Sequence, residues 1–268
     1  MKKILTIAGS DSCGGAGIQA DLKAMSAQGV YGMSVITAIT AQNTKGVFAV
    51  QEIENDIIRK QIEVIYEDIE VDAVKIGMLS STEIIETIAQ TLEKVNAKNI
   101  IIDPVMVSKS GYYLLKESAI EALKKFLQLG TLVTPNIPEA EILSGMKIET
   151  EKDMIDSAFI IKKLGVKNVL VKGGHRNDSC TDILLTENGE IVKFLGERFE
   201  TKNTHGTGCT LSSTIASYIG KGMSIEESVK QGKNYITKAI ENSFSIGEGV
   251  GPVGHFIELY KKAGVDYE

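Results

Sequence analysis

The stretch Lys202-Asn203-Thr204-His205-Gly206-Thr207-Gly208-Cys209-Thr210 gathers small, backbone-permissive residues directly before a helix-forming run, 211–219. A Gly-rich turn that feeds a helix start aims several free N–H groups at one spot, and that spot attracts anions, phosphate above all. Gly206 and Gly208 let the backbone approach a ligand and tolerate positive φ. Cys209 then lies near the positive end of the helix dipole, where the pKa of a thiol is expected to fall. An anion cradle beside a reactive side chain suggests phosphoryl transfer. A capped helix that merely follows two glycines is the alternative reading of the same residues.

Other groups with chemical potential recur after apolar runs. Gly9-Ser10-Asp11-Ser12-Cys13-Gly14-Gly15-Ala16-Gly17 follows the run Ile4 to Ala8, but its glycine spacing fits neither G-x-G-x-x-G nor G-x-x-x-x-G-K-[ST]. Asp21, on the first turns of the next helix, reads first as a surface carboxylate that complements the helix dipole. Asp103 ends the run Asn99 to Ile102, at the carboxyl end of a parallel strand where open α/β sheets bind ligands, and is read as functional. Asn136 and Glu139 are three apart at a helix start, so they can face one way and organise a metal with its waters. A capping box accounts for that pair equally well. Lys172 precedes two glycines at a strand end and can reach a phosphate as a point charge, or stand solvated in a turn.

The elements that must position these groups alternate. Strands are expected at Ile4–Ala8, Ser34–Thr40, Val71–Ile76, Asn99–Ile102, Thr131–Thr134 and Asn168–Val171. Helices are expected from about Ile18 to Gln28, Asp56 to Ile69, Ser81 or Thr82 to Val95, Glu117 to Leu127, Glu151 to Leu164, after Gly208, and from Ile225 to Asn242. Ala41–Val47 reads as a polar loop, and Val107–Tyr113 as a polar loop with a glycine hinge. Glu187-Asn188-Gly189 between apolar runs signals a hairpin, so antiparallel strands are expected late in the sheet. The alternation implies an α/β domain with a mostly parallel sheet covered on both faces, a single domain over residues 1–268.

Composition narrows the function classes. The chain has 268 residues, 43% of them hydrophobic, enough for a large core. A net charge of −6 argues against a nucleic-acid partner but not against a small anionic ligand. The cysteines, Cys13, Cys180 and Cys209, show no metal-ligand or disulfide spacing, which suits a reducing cytoplasm. The apolar run at the start is too short for a signal peptide, and none approaches membrane-spanning length. A soluble cytoplasmic protein is expected.

Taken together, the segments resemble the ribokinase-like fold and, within it, the hydroxymethylpyrimidine and phosphomethylpyrimidine kinases of thiamine synthesis. The matching segments are 8–12 with 14–23, Thr40-Ala41-Gln42-Asn43-Thr44, Lys75-Ile76-Gly77-Met78-Leu79 and Asp103-Pro104-Val105-Met106. They continue with Thr134-Pro135-Asn136-Ile137-Pro138-Glu139-Ala140, Val171-Lys172-Gly173-Gly174-His175 and Thr204 to Thr210. They occur in family order over nearly the whole chain, and the segment around Tyr112 and Tyr113 departs from the pattern. The resemblance implies a three-layer α/β/α fold and an ATP- and Mg²⁺-dependent kinase. It would phosphorylate 4-amino-5-hydroxymethyl-2-methylpyrimidine and then its monophosphate. It implies Cys209 as base, with the N–H groups of Gly206, Thr207, Gly208 and Cys209 as the anion hole. It shifts Asn136 and Glu139 toward organising magnesium, with Asp103 holding the magnesium–phosphate network. Lys172 and Thr207 would contact ATP phosphates. Gly9, Asp21, Gln42 and Met78 would line the pyrimidine pocket, with the Gln42 amide pairing an amino group and a ring nitrogen at once. A homodimer is expected on the same ground.

Three other readings compete. A pyridoxine or pyridoxal kinase shares fold, loop and cysteine. A vitamer-binding regulator without catalysis would not need the set Asp103, Glu139, Lys172 and Cys209. A dinucleotide-dependent oxidoreductase would need the fingerprint that is absent.

Overall fold

A computed structural model describes residues 1–108, 111–174 and 180–265. The elements run β1 (Lys3–Asp11), α1 (Gly17–Ala27), β2 (Tyr31–Asn43), β3 (Gly46–Glu52), α2 (Asn55–Asp68), β4 (Ala73–Ile76), α3 (Thr82–Lys94) and β5 (Ile100–Ile102). They continue with α4 (Ile120–Phe126), flanked by 3₁₀ turns, then β6 (Leu132–Val133), α5 (Ile137–Ser144), α6 (Glu151–Lys162), β7 (Asn168–Val171), β8 (Asp182–Leu185) and β9 (Ile191–Phe194). Helices α7 (Thr207–Gly220), α8 (Ile225–Glu241) and α9 (Ile257–Ala263) close the chain.

The strands form one sheet in the order β3-β2-β1-β4-β5-β6-β7-β8-β9, parallel from β2 to β7 and antiparallel at both edges. Strand side chains alternate between faces, and the three isoleucines of β5 show the consequence. Ile100 and Ile102 pack with Ile62 of α2, Ile88 of α3 and Phe126 of α4, whereas Ile101 faces Leu211 and Ile215 of α7 and Ile236 of α8. The sheet is therefore the middle layer of an α/β/α sandwich, as the alternation of elements requires.

Two stretches differ from the sequence expectation. Ala41–Val47 is not a loop: β2 continues to Asn43, Thr44-Lys45 make a two-residue turn, and Val47 pairs with Gln42 in β3. Val47-Phe48-Ala49-Val50 carried the strand signal, masked by the polar turn before it. Helix α9 lies in the short tail for which no element is expected from the sequence, its Ile257 buried. In the Val107–Tyr113 segment, Val107 bridges Tyr113 and Gly111, the glycine read as a hinge, takes φ +85°; Lys109 and Ser110 lie outside the described residues, as does His175.

The chain leaves β1 through α1 on one face to reach β2, and returns through α2 on the other face to reach β4 on the opposite side of β1. Connections that diverge from one strand leave a crevice at its carboxyl end, the usual ligand position in open α/β sheets.

Candidate active site

That crevice is a cavity of about 750 Å³. Strand ends supply its floor: Ala8 to Asp11 from β1, Thr40 and Gln42 from β2, Lys75 from β4, and Lys172 just after β7. Asp103 and Asn136 follow β5 and β6, and Gly206 to Cys209 form one wall at the start of α7.

Helix α7 begins without a side-chain cap. Gly206 is its N-cap at φ +80°, and a Cβ there would overlap the Gly15 carbonyl oxygen. The two Gly-rich loops thus touch backbone to backbone, and only glycine fits the contact. The first intrahelical bond runs from Thr210 N–H to Gly206 O at 2.9 Å, and Thr207 N–H makes a long 3.4 Å bond back to Thr204 O, so the N–H groups of Gly208 and Cys209 at the helix start remain for a ligand. A Cβ on Gly208 would lie 3.3 Å from Asp103 Oδ2 and 3.4 Å from Lys172 Nζ, so the helix start sits directly over that ion pair. The Thr207 hydroxyl donates to Thr204 O at 2.8 Å and would have to turn to meet a phosphate.

Lys172 Nζ donates to Asp103 Oδ1 at 2.9 Å, and the Thr134 hydroxyl donates to the same oxygen at 3.2 Å. Burial pushes the Asp103 carboxyl up, but Lys172 and Lys75 outweigh it and hold the group below the usual carboxylate range. Burial alone would lower Lys172; Asp103 and Glu139 keep it a firm cation. Glu139 is pushed up to about 7, first by burial and also by the Asp103 charge, despite the opposing pull of Lys172. Asn136 and Glu139 form a capping box: Asn136 Oδ1 accepts from Glu139 N–H at 2.9 Å, and Glu139 Oε2 accepts from Asn136 N–H at 2.8 Å. The box does not exclude a ligand role, because both side chains also line the cavity.

A second charged layer lies beneath. Lys75 and Asp21 are fully buried, with Nζ 2.9 Å from both carboxylate oxygens. The Thr6 and Ser213 hydroxyls donate to the same carboxylate at 2.6 and 2.7 Å. Burial opposes the ammonium charge of Lys75, but Asp21, Cys209 and Asp103 hold it above the ordinary lysine value.

A family model described as phosphomethylpyrimidine kinase matches residues 11–254. The chain belongs to the phosphomethylpyrimidine kinase family. A hydroxymethylpyrimidine/phosphomethylpyrimidine kinase of Haemophilus influenzae is 44% identical over 96% of this chain and 97% of its own length. The Escherichia coli protein of the same description is 43% identical over 96% and 98%. Among solved structures, a phosphomethylpyrimidine kinase from Clostridium difficile is 54% identical, covers 90% of this chain and 100% of its own, and superposes with a TM-score of 0.81. An ADP complex of Bacillus subtilis pyridoxal kinase is 40% identical over 96% and 98%, with a TM-score of 0.89. The ribokinase-like architecture expected from the motifs is the architecture of these kinases.

The fold brings most of the family's expected site residues to one cavity. Gly9 and Met78 lie together, a Cβ on Gly9 falling 3.0 Å from Met78 Sδ, and Gln42 lines the same cavity. Asp21 does not line the cavity. It is neither a pocket residue nor a surface carboxylate: Lys75, Thr6 and Ser213 take up its oxygens a layer below. The expected fall in the pKa of Cys209 is also reversed. Burial pushes the thiol up to about 11, and the Asp21 and Asp103 charges push the same way, although Lys75 and a backbone hydrogen bond from Gly17 pull the other way.

Three groups in the matched motifs had no role assigned: Asp11, Lys75 and His205. Their signal was a charged side chain inside an apolar or glycine-rich run, Lys75 at the end of Val71–Ile76 above all. Asp11 accepts N–H bonds from Cys13, Gly15 and Ala16 and contacts His205 Nε2 at 2.8 Å, so one carboxylate ties the first loop to the cradle.

Proposed function

We propose that this cavity transfers the terminal phosphoryl group of ATP to the hydroxymethyl oxygen of 4-amino-5-hydroxymethyl-2-methylpyrimidine, and then a second to the resulting monophosphate, for thiamine biosynthesis. The observation that carries the reading is that the α7 start, the Lys172–Asp103 pair, and Gly9, Gln42 and Met78 all line one cavity.

Phosphoryl transfer needs alignment and charge neutralisation more than covalent chemistry. The N–H groups at the start of α7 would hold the transferring group, and Lys172 would neutralise phosphate oxygens as charge shifts. The alcohol oxygen bonds to phosphorus as the bond to the leaving ADP oxygen breaks. Cys209 would orient the hydroxyl and receive its proton as thiolate. The buried Lys75 charge favours the thiolate but does not outweigh burial in the free enzyme, so the thiol's own proton must first pass to solvent before Cys209 can take that of the alcohol. In the second step the acceptor oxygen is already anionic and needs no base.

The residues present fit Mg²⁺. Asp103 and Glu139 are buried carboxylates facing one cavity, and burial pushes Glu139 up to about 7, where a bound cation would favour its ionised form. Among the described residues no group of three or more His, Cys, Asp or Glu side chains forms a metal cage. Magnesium suits such a place, since it keeps waters and binds through one or two carboxylates plus substrate phosphates. Asp103 and Glu139, with Asn136 beside them, would hold it, and the ion would supply charge neutralisation at the phosphates. A homodimer and a cytoplasmic location belong to the same proposal. Among the described residues no helix is long and apolar enough to cross a membrane.

The test is to incubate the enzyme with Mg·ATP and the pyrimidine alcohol, measuring ADP release and product mass. Appearance of the monophosphate and then the diphosphate supports the reading. Turnover confined to pyridoxal would move the chain's activity to that of its Bacillus subtilis neighbour.

A further inference from the structure

Hydrogen-bond parity around Gln42 points to a role for His205. The Asp11 carboxylate accepts from three backbone N–H groups, of Cys13, Gly15 and Ala16. His205 Nε2 stands 2.8 Å from Asp11 Oδ2, and an ionised carboxylate can only accept. His205 Nε2 therefore carries a proton, whether the ring is neutral or cationic. The same nitrogen lies 3.2 Å from one terminal atom of the Gln42 amide; let that atom be the amide nitrogen. Two donors would then face each other.

The other side of the amide repeats the conflict. The Thr40 hydroxyl has one proton, and it donates to Ser10 O at 3.0 Å. Its second contact, to Gln42 Oε1 at 3.3 Å, would need another. Reversing the amide resolves both conflicts without moving a heavy atom appreciably, because the oxygen and nitrogen of a side-chain amide occupy equivalent positions. The oxygen then accepts from His205 Nε2–H, shared with Asp11, and the NH₂ group donates to Thr40 Oγ1.

We propose that His205 is a specificity-determining positioning residue: with Thr40 it locks the Gln42 amide in one orientation, and so fixes which side of the pocket offers an acceptor and which a donor. The histidine is itself held in place. It is nearly buried, its backbone N–H donates to Gly251 O at 3.0 Å, and Gly15 packs so closely that a Cβ there would overlap the ring. One oxygen lone pair and one N–H of the locked amide remain for a ligand. An aminopyrimidine edge has an amino donor beside a ring-nitrogen acceptor, so it pairs with one amide orientation and clashes with the other. A hydroxyl can donate or accept, so a pyridoxine edge tolerates either. The lock therefore discriminates between the two rings. The substrate part of this inference rests on the pyrimidine-kinase reading; the amide orientation does not.

Two measurements separate those parts. Nitrogen-15 NMR of the histidine side chains, with His205 assigned through His205→Gln, reads the protonation of Nε2 directly. A protonated Nε2 in the free enzyme is expected; an Nδ1–H tautomer with bare Nε2 overturns the lock whatever the substrate. The second measurement is kcat/KM for the pyrimidine and for pyridoxine. His205→Leu should lower the pyrimidine value about 10–100-fold, mainly through KM, while the KM for ATP changes less than about twofold and pyridoxine turnover changes little. His205→Gln, which restores an N–H near the Nε2 position, should recover most of the discrimination. Equal losses on both rings, or no recovery in the glutamine variant with its fold intact by circular dichroism, would reduce His205 to a structural tie.

Discussion

Cys209 feels opposing charges, the Lys75 ammonium against the Asp21 and Asp103 carboxylates, in a place where burial already favours the neutral thiol. A base of this kind matters only where a proton must leave. Cys209→Ala should therefore lower phosphorylation of the alcohol by about 10²–10³-fold with ATP binding retained, and phosphorylation of the monophosphate much less. Single-turnover rates on both acceptors check this, and equal losses would leave Cys209 a positioning residue. Glu139 gives the pH dependence. Its folded pKa of about 7 lies above its ordinary 4.5, so the group's contribution to stability is present below about 4.5 and is lost as pH rises through about 7. Glu139→Gln keeps an oxygen for the capping bond from Asn136. It should flatten that part of the stability–pH profile in the ligand-free protein and raise the Mg²⁺ concentration needed for half-maximal rate. A sharp fall in Tm with unchanged metal dependence would mean that the cap is its whole role. Which residues line the cavity was partly legible, because Asp103 and Lys172 stand at strand ends and Cys209 follows a glycine at a helix start. Depth was not. Asp21 and Lys75 lie 54 positions apart, and nothing local tells that each is the other's buried partner.

At the scale of elements, the α7 start depends on a backbone shape that one residue type allows. Gly206→Ala puts a Cβ at φ +80° against the Gly15 carbonyl and should cost at least about 1–3 kcal/mol, with a larger loss of ATP affinity than of stability. Urea unfolding together with nucleotide titration separates the two; an unchanged nucleotide affinity would mean the cradle is not the phosphate site. The Lys75–Asp21 pair joins β4 to α1, and Thr6 and Ser213 draw in β1 and α7. Lys75→Met leaves a buried carboxylate uncompensated, for a loss of about 3–5 kcal/mol that Asp21→Asn in the same chain should partly restore. If the double variant is no more stable than Lys75→Met alone, the pair is not the source of the cost. Long periodic helices such as α2 and α3 and the Asn-Gly hairpin of β8 and β9 were legible from pattern and turn chemistry. Strand β3 was not, because most of its side chains are exposed and it is held by pairing with β2 rather than by burial.

At the scale of the molecule, the sheet order creates the crevice beside β1, and elements from both halves of the chain meet there. Asp11 and His205 are 194 positions apart yet touch. The family's pyrimidine and pyridoxal kinases share this architecture, so the fold permits either ring and the lining must choose. On the proposed reading Gln42 would distinguish them, since only the aminopyrimidine edge pairs with both the acceptor and the donor of its amide. Gln42→Leu should cost about 1–3 kcal/mol in transition-state binding of the pyrimidine and much less for pyridoxine. The most direct test of the whole account is kcat/KM for the hydroxymethylpyrimidine and for pyridoxine, in wild type and Gln42→Leu, with products identified by mass. The account predicts that the pyrimidine is the better substrate and alone suffers strongly from the substitution. A wild-type preference for pyridoxine, or equal losses on both rings, would contradict it.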